Sequence, residues 1–301
     1  MTLYEPVEAP LPVVERPIDE VVAAPPQTRA RRREDDGMLG LGLLAGPANV
    51  IMQLARPEVG YGVLESRVES GRVDRHPIKR ARTTFTYLAV STNGTPEQQL
   101  HFRRAVNGAH RQVFSTDESP VKYHAFDKDL QLWVGACLYK GVVDVHRLFV
   151  GEMDEQAADR LYLQGRALAT MLQVPESMWP QSRAAFDRYW ADSLEKVHID
   201  DTVRDYLYPI AASRLRGLAL PAPIQRRNEE LALLITTGFL PQRFRDEMRL
   251  PWGPDKQRSF DRLMAGLRVA NSVSPKFVRQ FPFNVLLKDV DRRIRTGRPL
   301  V

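Results

Sequence analysis

Apolar side chains recur at helical spacing along most of this chain. In "QQLHFRRAVNGAHRQVF", residues 98–114, Phe102, Val106, Ala109, His110 and Val113 fall on one side of a 3.6-residue helix, so the spacing predicts an amphipathic helix over 97–114. "DKDLQLWVGACLYKGVVDVHRLFV" opens with Asp127 at a capping position and has only Gln131 as a polar break from Leu130 to Tyr139. A helix apolar on every side is a central one. Leu161, Leu168, Met171 and Leu172 make a stripe that Pro175 ends, and Ser182 caps a helix carrying Phe186, Tyr189, Trp190 and Leu194 along one face. Further helices are expected at about 201–216, 225–238, 255–270 and 282–294, each bounded by Pro, Gly or Asn. No internal repeat is visible, and no strand-like alternation is sustained. The expectation is an all-α fold, a single multi-helix globular domain over residues 37–301.

One segment breaks the amphipathic rule. "GMLGLGLLAGPANVIMQLA", residues 37–55, carries no charge, and its length is near the minimum for a membrane-spanning helix. It also holds four glycines, Pro47, Asn49 and Gln53, which suit a Gly-rich turn followed by a buried core helix from about Pro47. The core helix is the preferred reading, with peripheral membrane contact left open. Ahead of it, residues 1–36 are rich in Pro and acidic side chains without a sustained period, the composition of a disordered tail, and they lack the build of a signal peptide. The expected location is therefore cytoplasmic, with membrane association not excluded.

Charge changes the picture little. The net charge is +6, but Lys and Arg are interspersed with Asp and Glu, and no nucleic-acid-binding motif is present. The run "RARRRE" at 29–34 meets Asp35 and Asp36 at once and reads as a solvated face, so no nucleic-acid partner is expected. The single cysteine, Cys137, excludes an internal disulfide framework and any multi-cysteine zinc site; its apolar neighbours suit a small core residue.

The candidate chemistry is sparse. None of the six histidines pairs with a carboxylate at metal-ligand spacing, and there is no GxSxG elbow, P-loop or strand-to-helix GxGxxG. What stands out is an imidazole on the apolar face of 98–114. A buried His110 needs a partner, and a carboxylate, a backbone carbonyl or a metal would each serve. In "IKRARTTFTYL", residues 78–88, Arg80 and Thr84 are four apart and share a helix face, which suits either an anionic or oxygen-bearing ligand or an ordinary exposed Arg beside a helix-end Thr.

The order of these pieces is informative. "LLAGPANVIMQLARPEVGYGVLES", "RARTTFTYLAVSTNG", "VNGAHRQV", "YHAFDKDLQLWVGACL", "FVGEMDEQAADRLYLQGRALATMLQVP" and "TTGFLPQRFR" follow one another as in the MpaB-type and latex-clearing-protein (rubber oxygenase) catalytic domain, which the chain resembles from about Gly40 onward. The resemblance implies an all-helical protein enclosing a haem pocket. It also implies haem b iron as cofactor, and dioxygen plus a hydrophobic, unsaturated, lipid- or isoprenoid-like small molecule as partners. Carried over, His110 is the iron ligand, and Arg80 and Thr84 stand beside the haem. Glu65, in "VLESR", lies upstream, where an acidic side chain is a candidate base near the pocket.

Two departures qualify the likeness. Thr83 stands where the rubber-cleaving branch has a Lys, and Gly135, in "WVGA", stands where many relatives have His. Rubber itself is not the expected substrate. Phe85, Tyr87, Trp133 and Phe149 are aromatic candidates for lining the pocket, with core packing the simpler role for each. A non-catalytic helical protein that binds a hydrophobic ligand remains the alternative, and the sequence leaves the oligomeric state open.

Overall fold

The computed structural model describes residues 38–68, 77–214 and 221–301. The N-terminal tail, with its arginine run, lies outside them. Among the described residues the architecture is all-helical, and the only extended pairing is an isolated bridge between Phe114 and His124.

The organising element is α5 (Lys128–Phe149), against which segments 40–54, 155–170 and 254–273 pack. Asp127 caps it by accepting from the backbone N–H groups of Asp129 and Leu130. Leu132, Trp133, Ala136, Cys137, Tyr139 and Phe149 are buried on several sides of the helix, as an apolar-all-round sequence requires.

Ahead of it come a 3-10 turn (Gly40–Ala45), α1 (Gly46–Leu54), α2 (Pro57–Leu64), α3 (Pro77–Asn93) and α4 (Pro96–His110). After it come α6 (Glu155–Gly165), α7 (Ala167–Thr170), a short turn at Glu176–Met178 and α8 (Arg183–Leu194). The chain ends with α9 (Asp201–Ala211), α10 (Ala222–Phe239), α11 (Gln242–Glu247), α12 (Pro254–Val273), α13 (Lys276–Arg279) and α14 (Phe283–Thr296).

The charge-free stretch is a core element, as expected from about Pro47. It is broken into the 3-10 turn and α1, and its polar residues are fastened to α5. Asn49 Nδ2 donates to the Cys137 carbonyl at 2.7 Å, Gln53 Nε2 donates to Asn49 Oδ1 at 2.7 Å, and Trp133 Nε1 donates to the Gln53 carbonyl at 3.1 Å. Buried amides are tolerated because each finds a partner. Among the described residues no helix is long and apolar enough to cross a membrane.

Three boundaries differ from the expectation. The helix foreseen over 97–114 stops at His110, because the chain turns there to pair Phe114 with His124. The stripe from Leu161 to Leu172 is split at Arg166 into α6 and α7. The helix foreseen at 201–216 ends at Ala211.

Candidate functional site

Three helices contribute residues at helical spacing to one cavity of about 260 Å³. From α3 come Arg80, Thr83, Thr84 and Tyr87; from α4, Phe102, Val106, Ala109 and His110; from α5, Leu130, Gln131, Val134 and Leu138. These are spacings of three, four, seven and eight, so the faces follow from helix geometry alone. The lining is mostly apolar, with Arg80, His110 and Glu58 among its charged or titratable exceptions.

His110 is the last residue of α4, and Thr95 anchors the other end of that helix with a capping box shared with Gln98. A chain of amides holds the helix against α5 one turn before the imidazole. Gln173 Nε2 donates to Asn107 Oδ1 at 2.6 Å, and Gln131 Nε2 donates to Gln173 Oε1 at 2.7 Å. Gln131, a lone polar break in the sequence, is therefore the α5 end of a positioning network. The ring of His110 meets Phe126 edge-on at 6.2 Å.

The Nδ1 of His110 is buried and has no hydrogen-bond partner. Burial, with the positive charge of Arg80 as a second cause, lowers its pKa to about 4. The imidazole is thus neutral at physiological pH, the form that offers a lone pair. Burial also lowers the pKa of Arg80, and among the described residues no carboxylate makes an ion pair with it. The Thr84 hydroxyl donates to the Arg80 carbonyl at 3.1 Å, leaving its oxygen as an acceptor on the cavity side of α3.

The structure brings His110, Arg80 and Thr84 together and sets Glu65 apart. Glu65 follows the last turn of α2, is exposed, and accepts hydrogen bonds from Ser119 Oγ and Tyr123 OH, both at 2.6 Å. Its route to the cavity is through Tyr123, which lines it. Burial, then the bond to Glu65, pushes the Tyr123 phenol up to about 12. The carboxylate in the cavity wall itself is Glu58, one α-helical heptad earlier, paired with Arg56 at 3.5 Å. Sequence reading missed it, although the seven-residue spacing from Glu65 puts both on one side of a helix.

Of the aromatic candidates, Tyr87 lines the cavity and donates to the Leu168 carbonyl at 2.8 Å. Phe85 lines a smaller recess of about 60 Å³, edge-on to Phe283 at 6.1 Å. Trp133 and Phe149 are fully buried core residues. Thr84, Gln53 and Leu138 face both the cavity and the recess. Gly135 does not face the cavity: a Cβ there would come within 2.5 Å of the Ala169 Cβ, so the close crossing of α5 and α7 leaves no space for a larger side chain at this position.

Among the described residues no group of three or more His, Cys, Asp or Glu side chains is placed to hold a metal ion. No solved structure matches the chain. An uncharacterized protein of Mycobacterium bovis and one of Mycobacterium tuberculosis are each 48% identical to it over 259 residues, 86% of this chain and 100% of theirs. Residues 36–269, which include the whole cavity-forming part of α1 to α7, match the family described as the ER-bound oxygenase mpaB/B'/Rubber oxygenase catalytic domain. With the family covering most of its length and every helix that builds the site, the chain belongs to this family of oxygenase catalytic domains.

Proposed function

We propose that the protein is a haem-dependent oxygenase acting on an unsaturated, lipid- or isoprenoid-like molecule, with His110 as the ligand that the chain gives to haem b iron. The observation that carries this reading is a buried imidazole nitrogen with no protein partner in the wall of a largely apolar cavity. Such an orphan costs about 1–3 kcal/mol when it stays unsatisfied. A ligand that completes it recovers that cost.

The surrounding residues fit a haem better than a bare ion. A single imidazole suits a metal whose remaining ligands come with a macrocycle, and the neutral form kept by burial is the one that coordinates. Arg80, without an ion-paired carboxylate among the described residues, suits a propionate, which a guanidinium can hold through two parallel hydrogen bonds. When bound, haem supplies the activation of dioxygen. Thr84 offers an acceptor oxygen in the same wall, while Thr83 offers no amine where the rubber-cleaving branch has lysine. Tyr87, Phe102, Val106 and Val134 exclude water and favour an apolar chain. Glu65 serves as the base through Tyr123, whose phenol it already accepts from.

The test is the visible spectrum and extractable haem of the purified protein beside His110→Ala and His124→Ala. His124 also lines the cavity, but its Nδ1 already accepts from the Phe126 N–H at 3.1 Å. Near-stoichiometric haem with a Soret band that only His110→Ala loses or shifts is the expected result, followed by oxygen consumption with prenyl or polyunsaturated substrates. A protein that stays colourless when haem is supplied during expression overturns the reading and leaves a helical hydrophobic-ligand binder.

A further inference from the structure

Ten large apolar side chains stand exposed among the described residues, and six of them lie between Val269 and Val285. That concentration needs a reason, because scattered exposed apolar residues are ordinary whereas a cluster marks a contact surface. Val269 and Val273 are 65% and 79% exposed and stand four apart at the end of α12. Phe277, at 68%, and Val278 are on α13; Phe281, at 58%, joins α13 to α14; Val285 is in the first turn of α14.

Charge says what this surface fits. From Arg262 to Lys288 the sequence contains no Asp or Glu, the longest acid-free interval in the chain. The same span carries Arg262, Arg268, Lys276, Arg279 and Lys288. Exposed Phe and Val flanked by Lys and Arg, without an acidic residue between them, is the composition that inserts shallowly into an anionic bilayer surface while remaining outside the hydrocarbon core.

We propose that the α12–α14 hairpin seats this protein peripherally on an anionic lipid surface. The placement suits a lipid-like substrate. The hairpin is clamped on the 3-10 turn, where the Phe281 carbonyl oxygen lies 1.9 Å from the point a Cβ on Gly40 would occupy. That turn and Phe283 also wall the apolar recess, which shares Thr84, Gln53 and Leu138 with the main cavity. The apolar surface and the recess beside the site therefore share the 3-10 turn and α14. The proposal stands apart from the oxygenase reading, since lipid binding is measured without haem or turnover.

The experiment is co-sedimentation of the full chain with phosphatidylcholine vesicles, with and without phosphatidylserine, at low and high salt. Retention on the phosphatidylserine vesicles, weaker on phosphatidylcholine and reduced by salt, is expected. Replacing Phe277 and Phe281 together by Ala should weaken it by about a hundredfold, and Lys276→Gln with Lys288→Gln by about thirtyfold. Circular dichroism confirms that the variants fold, and Val273→Asp is the second apolar-surface variant should the double Phe change impair folding. Absence of retention on anionic vesicles overturns the proposal, as does retention that survives all of these substitutions. A dimer in sedimentation velocity that the Phe variants abolish, with no lipid binding, assigns the surface to a second copy instead.

Discussion

Arg80 and His110 lie in the same cavity wall, and the guanidinium's charge helps keep the imidazole unprotonated. Neither residue has the partner that would make it a purely structural group: the imidazole Nδ1 lacks a hydrogen bond, and among the described residues no carboxylate forms an ion pair with the guanidinium. A cation beside a neutral base is unfavourable to protonation and favourable to a ligand that is anionic at one end and electron-accepting at the other.

The depressed pKa of His110 makes stability depend on pH. Its folded value, about 4, lies below the ordinary 6.5, so the unfolded chain binds the proton more tightly. The stability linked to this group is fully present above pH 6.5 and is lost as pH falls through the folded value near 4. The full loss is at most about 3 kcal/mol. Denaturant unfolding of the haem-free protein across that window should show the slope, and His110→Leu should flatten it; an unchanged slope assigns the acid sensitivity to other groups.

Arg80→Gln removes the second cause of that depression and not the first. The imidazole should titrate higher than in the parent but still below 6.5, since burial remains. Proton NMR of the ring resonances reads the shift directly. No movement would mean that Arg80 is electrostatically remote from the ring.

Gly135→Ala should destabilise the fold by about 1–3 kcal/mol through overpacking, because the new Cβ meets the Ala169 Cβ at 2.5 Å and its Cα at 2.7 Å. Thermal unfolding should show a fall of a few degrees per kcal/mol. A neutral substitution would show that α7 moves away at little cost.

Gln173→Ala breaks the amide chain between Asn107 and Gln131 and should cost about 1–3 kcal/mol by leaving buried amide groups short of partners. It should also weaken haem retention, because it frees the helix turn that precedes His110. Loss of stability with haem retention unchanged would confine the network to a structural role.

If Glu65 acts through Tyr123, then Glu65→Gln and Tyr123→Phe should each lower turnover by up to about a hundredfold, leave the Soret band in place, and fail to add when combined. Oxygen-electrode rates on the two single variants and the double variant decide it. Additive losses would show that the two residues act independently.

Much of the fold could be read from local signals. Asp127 and Ser182 cap the helices they were expected to cap, and Asn49, Gln53 and Pro47 kept residues 37–55 from reading as a membrane span. The helix Pro57–Leu64 was not anticipated: Gly60 and Gly62 depress its helix propensity. Gly60 is there because a Cβ would come within 2.8 Å of the Leu54 carbonyl oxygen. The end of α4 was misplaced because the pairing of Phe114 with His124 is a tertiary event that no local pattern records. For the site, periodicity turned His110 inward and put Arg80 and Thr84 on one helix face, but could not say that the three line one cavity. That they line the same cavity depends on how α3 and α4 pack. Glu65 and Glu58 differ only in which end of α2 they occupy, and that difference puts one in the solvent-facing loop network and the other in the cavity wall.

The thin partition formed by Thr84, Gln53 and Leu138 separates two spaces of very different size, about 260 Å³ and 60 Å³. Of the three, Leu138 alone makes no side-chain hydrogen bond and is held by apolar packing in the core, so shortening it breaks no polar fastening and costs packing alone. If the substrate is a linear chain, as the proposed function has it, its reach from the larger side is measured against that one leucine. Trimming it to alanine would then lengthen the bore, and the depth at which an oxidised carbon lies along the chain would move with it.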